Sequence, residues 1–221
     1  MTTVTSHPSS AIPDLSEPER ACLALAWAAM VAGTNPVGAV VVAGDGAIVA
    51  SGRNAVYASS GPGPLAASRL AHAEMNALFG LSADERPGRL RLVTSLEPCQ
   101  MCTGAARMAR VGAVTFLGAD PVNGTAWALG QERYVGHRPV QVSGPRSDAV
   151  GRLAAALALA FVQLRKPAAR FVLTFRQRRP DLAAVTDALI AAGLADLADR
   201  AAPWEDAAPG LLATAGSPGQ A

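Results

Sequence analysis

One short pattern constrains this chain more than any other: His72-Ala73-Glu74, followed after a gap by Glu97-Pro98-Cys99-Gln100-Met101-Cys102. One imidazole and two thiolates make a borderline-soft donor set that suits zinc. Three protein donors with no evident fourth describe a catalytic site, since the remaining position takes water. Cys99 and Cys102 stand three residues apart, so on a helix both thiols face one side, and Pro98 suits that helix's entry. The partial positive charge at a helix N-terminus favours the thiolates that bind metal. His72 supplies a third donor from the start of a different helix, so two helix starts must meet in the folded chain. Glu74 is a candidate proton carrier beside the water. Spacing alone does not put it there, because a two-residue step turns roughly 200° on a helix.

The elements around this pattern alternate. Ser16-Glu17-Pro18-Glu19 reads as a helix start, with Ser16 as N-cap, Glu19 as its capping-box partner and Pro18 in the first turn. That helix runs to about Ala32 and stops at Gly33. Val37 to Ala43 and Ile48 to Gly52 predict a hairpin around Gly44-Asp45-Gly46. Ser60 to Pro64 is a Gly/Pro loop. Then follow a helix over about Ser68 to Phe79, a strand over Leu90 to Ser95, a helix over Cys99 to Arg110 and a strand over Ala113 to Leu117. A helix, a hairpin and strand–helix units make an α/β layer sandwich.

Beyond Gly130 the register changes. Asp148 to Arg165 and Asp181 to Arg200 read as helices, separated by a basic stretch with Lys166, Arg170, Arg176, Arg178 and Arg179. The expected organisation is a flexible tail over 1–15, a zinc-binding domain over 16–145, a mostly helical C-terminal extension over 146–200 and a disordered tail over 201–221.

A net charge of +2 does not advertise nucleic acid as the main partner, and the basic stretch reads as a solvated face or an RNA contact. No apolar run reaches membrane-spanning length, so no membrane partner is expected. The N-terminal segment lacks the apolar stretch of a secretory signal, and two of the three cysteines sit in one C-x-x-C pair, which together favour a reducing cytoplasm. Cys22 reads as a core residue, and His7 and His137 as surface groups. Trp127 either gates a pocket or packs in the core. A structural metal site closed by Cys22 or His137 is the competing interpretation of the cluster.

The chain resembles the cytidine deaminase-like superfamily, most closely its tRNA adenosine deaminase and guanine deaminase branch. The resemblance spans about Ser16 to Gly130 and includes Asn35-Pro36-Val37-Gly38-Ala39, Gly52-Arg53-Asn54, the two metal motifs, Thr103-Gly104-Ala105 and Gly118-Ala119-Asp120-Pro121. It implies a three-layer α/β/α sandwich around a mixed five-stranded sheet, assembled as a homodimer or larger oligomer. It further implies zinc on His72, Cys99 and Cys102, with Glu74 as the catalytic proton shuttle. A base pocket would be lined by the strand at Val37, Gly38 and Ala39, with Asn54 bonding the base or sugar and the Pro98-Cys99 backbone positioning the ring. Met75-Asn76 is more similar to the deoxycytidylate branch, and nothing after Gly130 matches the family.

A metal ion lowers the pKa of its water from about 15.7 towards about 7, and Glu74 would carry that proton to a ring nitrogen and then to the departing amine. The expected activity is therefore zinc-dependent hydrolytic deamination of a free nucleobase, nucleoside or related amino-heterocycle, with release of ammonia. The alternatives are a tRNA adenosine deaminase, which needs a cationic path for RNA, and a non-catalytic zinc-stabilised interaction module, for which Glu74 would be dispensable.

Overall fold

The computed structural model describes residues 14–59, 64–82, 85, 88–131 and 140–217. Most of the expected N-terminal tail, His7, most of the Ser60–Pro64 loop and His137 lie outside the described residues. The chain opens with α1 (Glu17–Val31), where Ser16 and Glu19 form the expected capping box and Gly33, at φ +70°, ends the helix. The hairpin β1 (Gly38–Val42) and β2 (Ile48–Arg53) follows, then α2 (Ala73–Phe79), β3 (Arg91–Leu96), α3 (Gln100–Met108) and β4 (Ala113–Gly118). A 3-10 turn over Ala126–Gly130 leads towards the short β5 (Gln141–Ser143).

The strands form one mixed sheet in the order β2-β1-β3-β4-β5. The hairpin pairing and β1–β3 are antiparallel, whereas β3–β4 and β4–β5 are parallel. Strand alternation sends Val40, Val42 and Val93 to the α1 side with Cys22, and Ala39, Val41 and Leu92 to the other side with Ala73, Ala77 and Ala106. Two glycines allow the helices to approach this closely. A Cβ at Gly38 would stand 2.3 Å from the Cys22 carbonyl of α1, and one at Gly52 would stand 2.5 Å from the Ala73 carbonyl of α2.

After β5 comes α4 (Ala149–Arg165), capped by Asp148, whose carboxylate accepts from the Val150 and Gly151 amides. It lies on the α1 face of the sheet and shares a core with Leu23, Trp27 and Leu117, so the three-layer sandwich is complete. Four more helices follow among the described residues: α5 (Arg170–Arg178), α6 (Pro180–Ala191) and α8 (Trp204–Gly216) pack on α4, and α7 (Leu194–Asp199) packs on α1 and α6.

Three local expectations change. The helix expected over Ser68 to Phe79 begins only at Ala73, because Ala71 closes a turn onto the Ser68 carbonyl and His72 is extended at φ −73°, ψ 155°. The helix expected over Asp181 to Arg200 divides into α6 and α7 at Gly193, which is left-handed at φ +87°. Within the segment expected to be a disordered tail over 201–221, Trp204–Gly216 folds as α8 because it buries Trp204, Leu211, Leu212 and Ala215 against the α1–α4 core. Among the described residues, no helix is long and apolar enough to cross a membrane.

Candidate active site

The metal-binding residues sit at the starts of two helices on the same side of the sheet. His72 is the N-cap of α2, and Cys99 is the N-cap of α3 with Cys102 one turn later. Cys99 Sγ and Cys102 Sγ are 3.6 Å apart, and each lies 3.6 Å from His72 Nδ1. Metal bonds of about 2.3 Å to sulfur and about 2.0–2.1 Å to nitrogen, at tetrahedral angles, give edges of about 3.6–3.8 Å. The three donors therefore fit one face of a zinc tetrahedron. Among the described residues they form the group able to hold a metal. Cys22 is not a fourth ligand: it is fully buried on α1 and its thiol donates to the Val93 carbonyl at 3.1 Å.

Electrostatics favour the ligating form at Cys99 and oppose it at Cys102 and His72. The bond from Cys102 pulls the Cys99 thiol down to about 4, with the His72 imidazole adding to the effect despite partial burial. The same bond raises Cys102, so the metal-free pair releases its first proton readily and holds the second. His72 is raised chiefly by its bond with Cys99.

Because His72 precedes the first helical residue, the two-residue step to Glu74 is not a helical step. The turn from extended to helical backbone returns the Glu74 side chain to the ligands. Its Oε2 lies 3.4 Å from Cys102 Sγ, and Thr94 Oγ1 on β3 donates to its Oε1 at 3.4 Å. Glu74 is 3 % exposed, and burial above all raises its affinity for a proton.

These groups open onto a cavity of about 470 Å³. His72, Glu74 and Cys99 line it at the metal end, and Val37, Leu96, Ala158, Val162 and Phe171 provide apolar walls. Asn54 also lines it, nearly buried. Its Oδ1 accepts from Thr34 Oγ1 at 2.7 Å and from the Val56 amide at 3.1 Å, which leaves Nδ2 as a donor. Thr34 is held in turn by the Tyr57 amide, which donates to its Oγ1 at 3.3 Å. Opposite, Asp120 caps the turn at Val122 and Asn123, and Glu97 accepts from the Asp120 and Ala126 amides. Glu97 is thus raised by burial and partly restrained by those bonds.

Of the sequence-derived pocket residues, Val37 and Asn54 line the cavity and three do not. Gly38 faces α1, Ala39 is fully buried under α2, and the Pro98 carbonyl is occupied by Thr103 Oγ1 and by the Thr125 amide and hydroxyl. Trp127 is 68 % exposed and away from this wall, so it neither gates the cavity nor packs in the core. Sequence reasoning missed Thr34, Tyr57, Thr94, Ala158, Val162 and Phe171. The i, i+4 spacing of Ala158 and Val162 was visible, but not which of α4's apolar faces meets the cavity.

Residues 15–118 match the family model of the cytidine and deoxycytidylate deaminase zinc-binding region. This region of the chain belongs to the cytidine deaminase-like superfamily. It is 38% identical over 104 residues to the tRNA-specific adenosine deaminase of Bacillus subtilis, covering 44% of this chain and 62% of that one. It is 35% identical over 136 residues to a tRNA(Ile)-lysidine synthase of Deinococcus deserti, covering 59% of this chain but 24% of that protein. The chain thus spans between about a quarter and under two thirds of these relatives. A solved structure of NE0047 in complex with 2,6-diaminopurine superposes with a TM-score of 0.52 at 26% identity, covering 71% of this chain and 87% of that one. The family model ends at residue 118, β5 and α4–α8 follow it, and α5 brings Phe171 to the cavity wall.

Proposed function

We propose that the protein is a zinc-dependent hydrolytic deaminase of an amino-substituted nucleobase, presented as base, nucleoside or a related heterocycle. The observation that carries this reading is the position of the Glu74 carboxyl, 3.4 Å from a sulfur of a three-donor metal cluster and facing a cavity sized for one heterocycle. A structural site would not need a buried carboxyl there. His72, Cys99 and Cys102 would hold zinc, which when bound supplies an acidified water as nucleophile. Glu74 takes the proton from that water and delivers it to the ring nitrogen beside the amino-bearing carbon. With the ring nitrogen protonated, that carbon would be open to the oxygen that the metal supplies. Glu74 then moves the second proton to the exocyclic nitrogen, the C–N bond breaks, and ammonia leaves as the ring carbonyl forms. Thr94 holds Oε1 so that Oε2 is the atom that carries the proton. Asn54 Nδ2 donates to an acceptor on the base or sugar, and the apolar walls clasp the ring's faces.

A second reading, a tRNA deaminase, is favoured by the similarity to the Bacillus subtilis tRNA-specific adenosine deaminase. Within the basic stretch, carboxylates neutralise two of the five cations and a backbone carbonyl holds a third. Arg176 pairs with Asp187, Arg179 with Asp181, and Arg178 donates to the Pro121 carbonyl. The test is ammonia release by zinc-loaded protein from adenine, guanine, cytosine, their nucleosides and a stem-loop RNA. Turnover of small substrates supports the first reading, and turnover of RNA alone supports the second.

A further inference from the structure

A second chamber of about 330 Å³ adjoins the catalytic cavity and shares Asn35, Tyr57 and Val162 with it. Its remaining wall comes from Gly33, Phe161, Arg165 and Lys166. The two chambers divide the charge. Glu74, Glu97 and Asp120 all line the inner one, whereas the outer one has two cations and no carboxylate. Neither Arg165 nor Lys166 has an acidic partner among the described residues. Of the other arginines of this region, Arg176 and Arg179 are paired with Asp187 and Asp181, and Arg178 donates to the Pro121 carbonyl.

Arg165 is also held in place. Its guanidinium carbon stands 3.8 Å over the Phe161 ring, Nη1 donates to the Phe161 carbonyl at 3.3 Å, and Nη2 lies 4.0 Å from where a Cβ on Gly33 would stand. Tyr57 stacks on Phe161 at 6.3 Å between ring centres. A guanidinium held over an aromatic ring keeps N–H donors free beside it, and such donors can grip a phosphate. Asn35 lines both chambers, and its side-chain amide has no partner among the described residues.

We infer that this outer chamber takes the phosphate of the substrate, so that the molecule deaminated is a nucleotide rather than a free base. The base sits at the metal end, the sugar passes Asn35 and Tyr57, and the phosphate meets Arg165 and Lys166. The assignment rests on the deaminase reading for its catalytic consequence but not for binding.

The test therefore has two independent parts. Calorimetric titration of ribose 5-phosphate and ribose into the zinc-loaded protein reads the chamber without chemistry. We expect the phosphate ester to bind at least 10-fold more tightly, and that preference to vanish in R165Q/K166Q and to persist in part in R165K. Equal affinities for the two sugars, or a preference unaltered in the double variant, overturn the inference. In the second part, kcat/KM for a nucleoside 5′-monophosphate should exceed that for the nucleoside by about 10- to 100-fold, the loss expected when a charge-assisted contact is missing. The double variant should bring that ratio near one, through KM. A wild-type ratio near one overturns the inference while ammonia release leaves the deaminase reading standing. Absence of ammonia throughout, with phosphate-dependent binding intact, overturns the deaminase reading alone. A stem-loop RNA forms the last arm. Whichever of mononucleotide and RNA loses kcat/KM in the double variant identifies the source of the phosphate, and no loss in either refutes the chamber.

Discussion

Glu74→Gln separates chemistry from structure at this site. Gln has nearly the same volume, and its Oε1 can still accept from Thr94 Oγ1, where the native contact is 3.4 Å. The metal donors are untouched. What disappears is the ability to take and return a proton, and loss of a positioned acid–base typically costs about 10²–10⁴-fold in rate. Stability should move the other way. Glu74 is 3 % exposed, and burial disfavours its charged form, whereas a neutral amide carries no such penalty. Relieving a functional group of this kind commonly returns about 1 kcal/mol, or about 2–4 °C in Tm for a chain of this size. The assay is ammonia release and thermal melting on the same preparation, with zinc measured per chain. The expected result is zinc retained, Tm raised and kcat lowered at least 100-fold. A variant with more than a tenth of the wild-type kcat would refute the proton-carrier role, and one that fails to melt higher would refute the burial argument.

Cys102→Ala removes one donor of the triad, so zinc content should fall well below one per chain and activity with it; metal analysis after dialysis checks this. Thr34→Val removes the 2.7 Å bond to Asn54 Oδ1 and strands the Tyr57 amide. It should cost about 1–3 kcal/mol of stability and raise KM more than it lowers kcat, as read by melting and steady-state kinetics. Leu212→Ala on α8 should cost about 2–4 kcal/mol in urea unfolding, whereas a value under about 0.5 kcal/mol would show that α8 does not pack on the core. Arg146 bridges Glu19 of α1 at 2.6 Å and Asp148 at the start of α4. Its bonds hold Asp148 below the ordinary 3.8; Glu19 would be raised by burial, but bonds from Ser16 and Arg146 outweigh this and hold it below 4.5. Their stabilisation is complete above those values and is lost as pH falls through the lower folded ones. Arg146→Gln should therefore lower Tm by a few degrees near pH 7, and the gap should narrow as pH falls below the ordinary carboxylate values.

Much of the fold was legible because it rests on short-range rules. The Ser16–Glu19 capping box, the Gly33 stop, the hairpin about Gly44 to Gly46 and the Asp148 start of α4 each involve residues a few positions apart. The misplacements have different causes. The helix expected from Ser68 begins only at Ala73, behind the turn that Ala71 closes onto the Ser68 carbonyl, and the helix expected over Asp181 to Arg200 breaks at Gly193; both causes are local. The stretch expected to be a disordered tail holds α8 because the distant α1–α4 core takes up Trp204, Leu211 and Leu212.

The sequence by itself named the candidate donor set, because donor type is a property of single residues and the Cys99–Cys102 spacing belongs to one helical turn. Only the tertiary structure decided where Glu74 points, that Asn54 faces the cavity as a donor, and that Val162, Phe171 and Arg165 reach the two chambers. Those residues come from segments far apart in the chain. Their meeting is set by how α1, α2 and α4 pack on one twisted sheet, and no local periodicity encodes that packing.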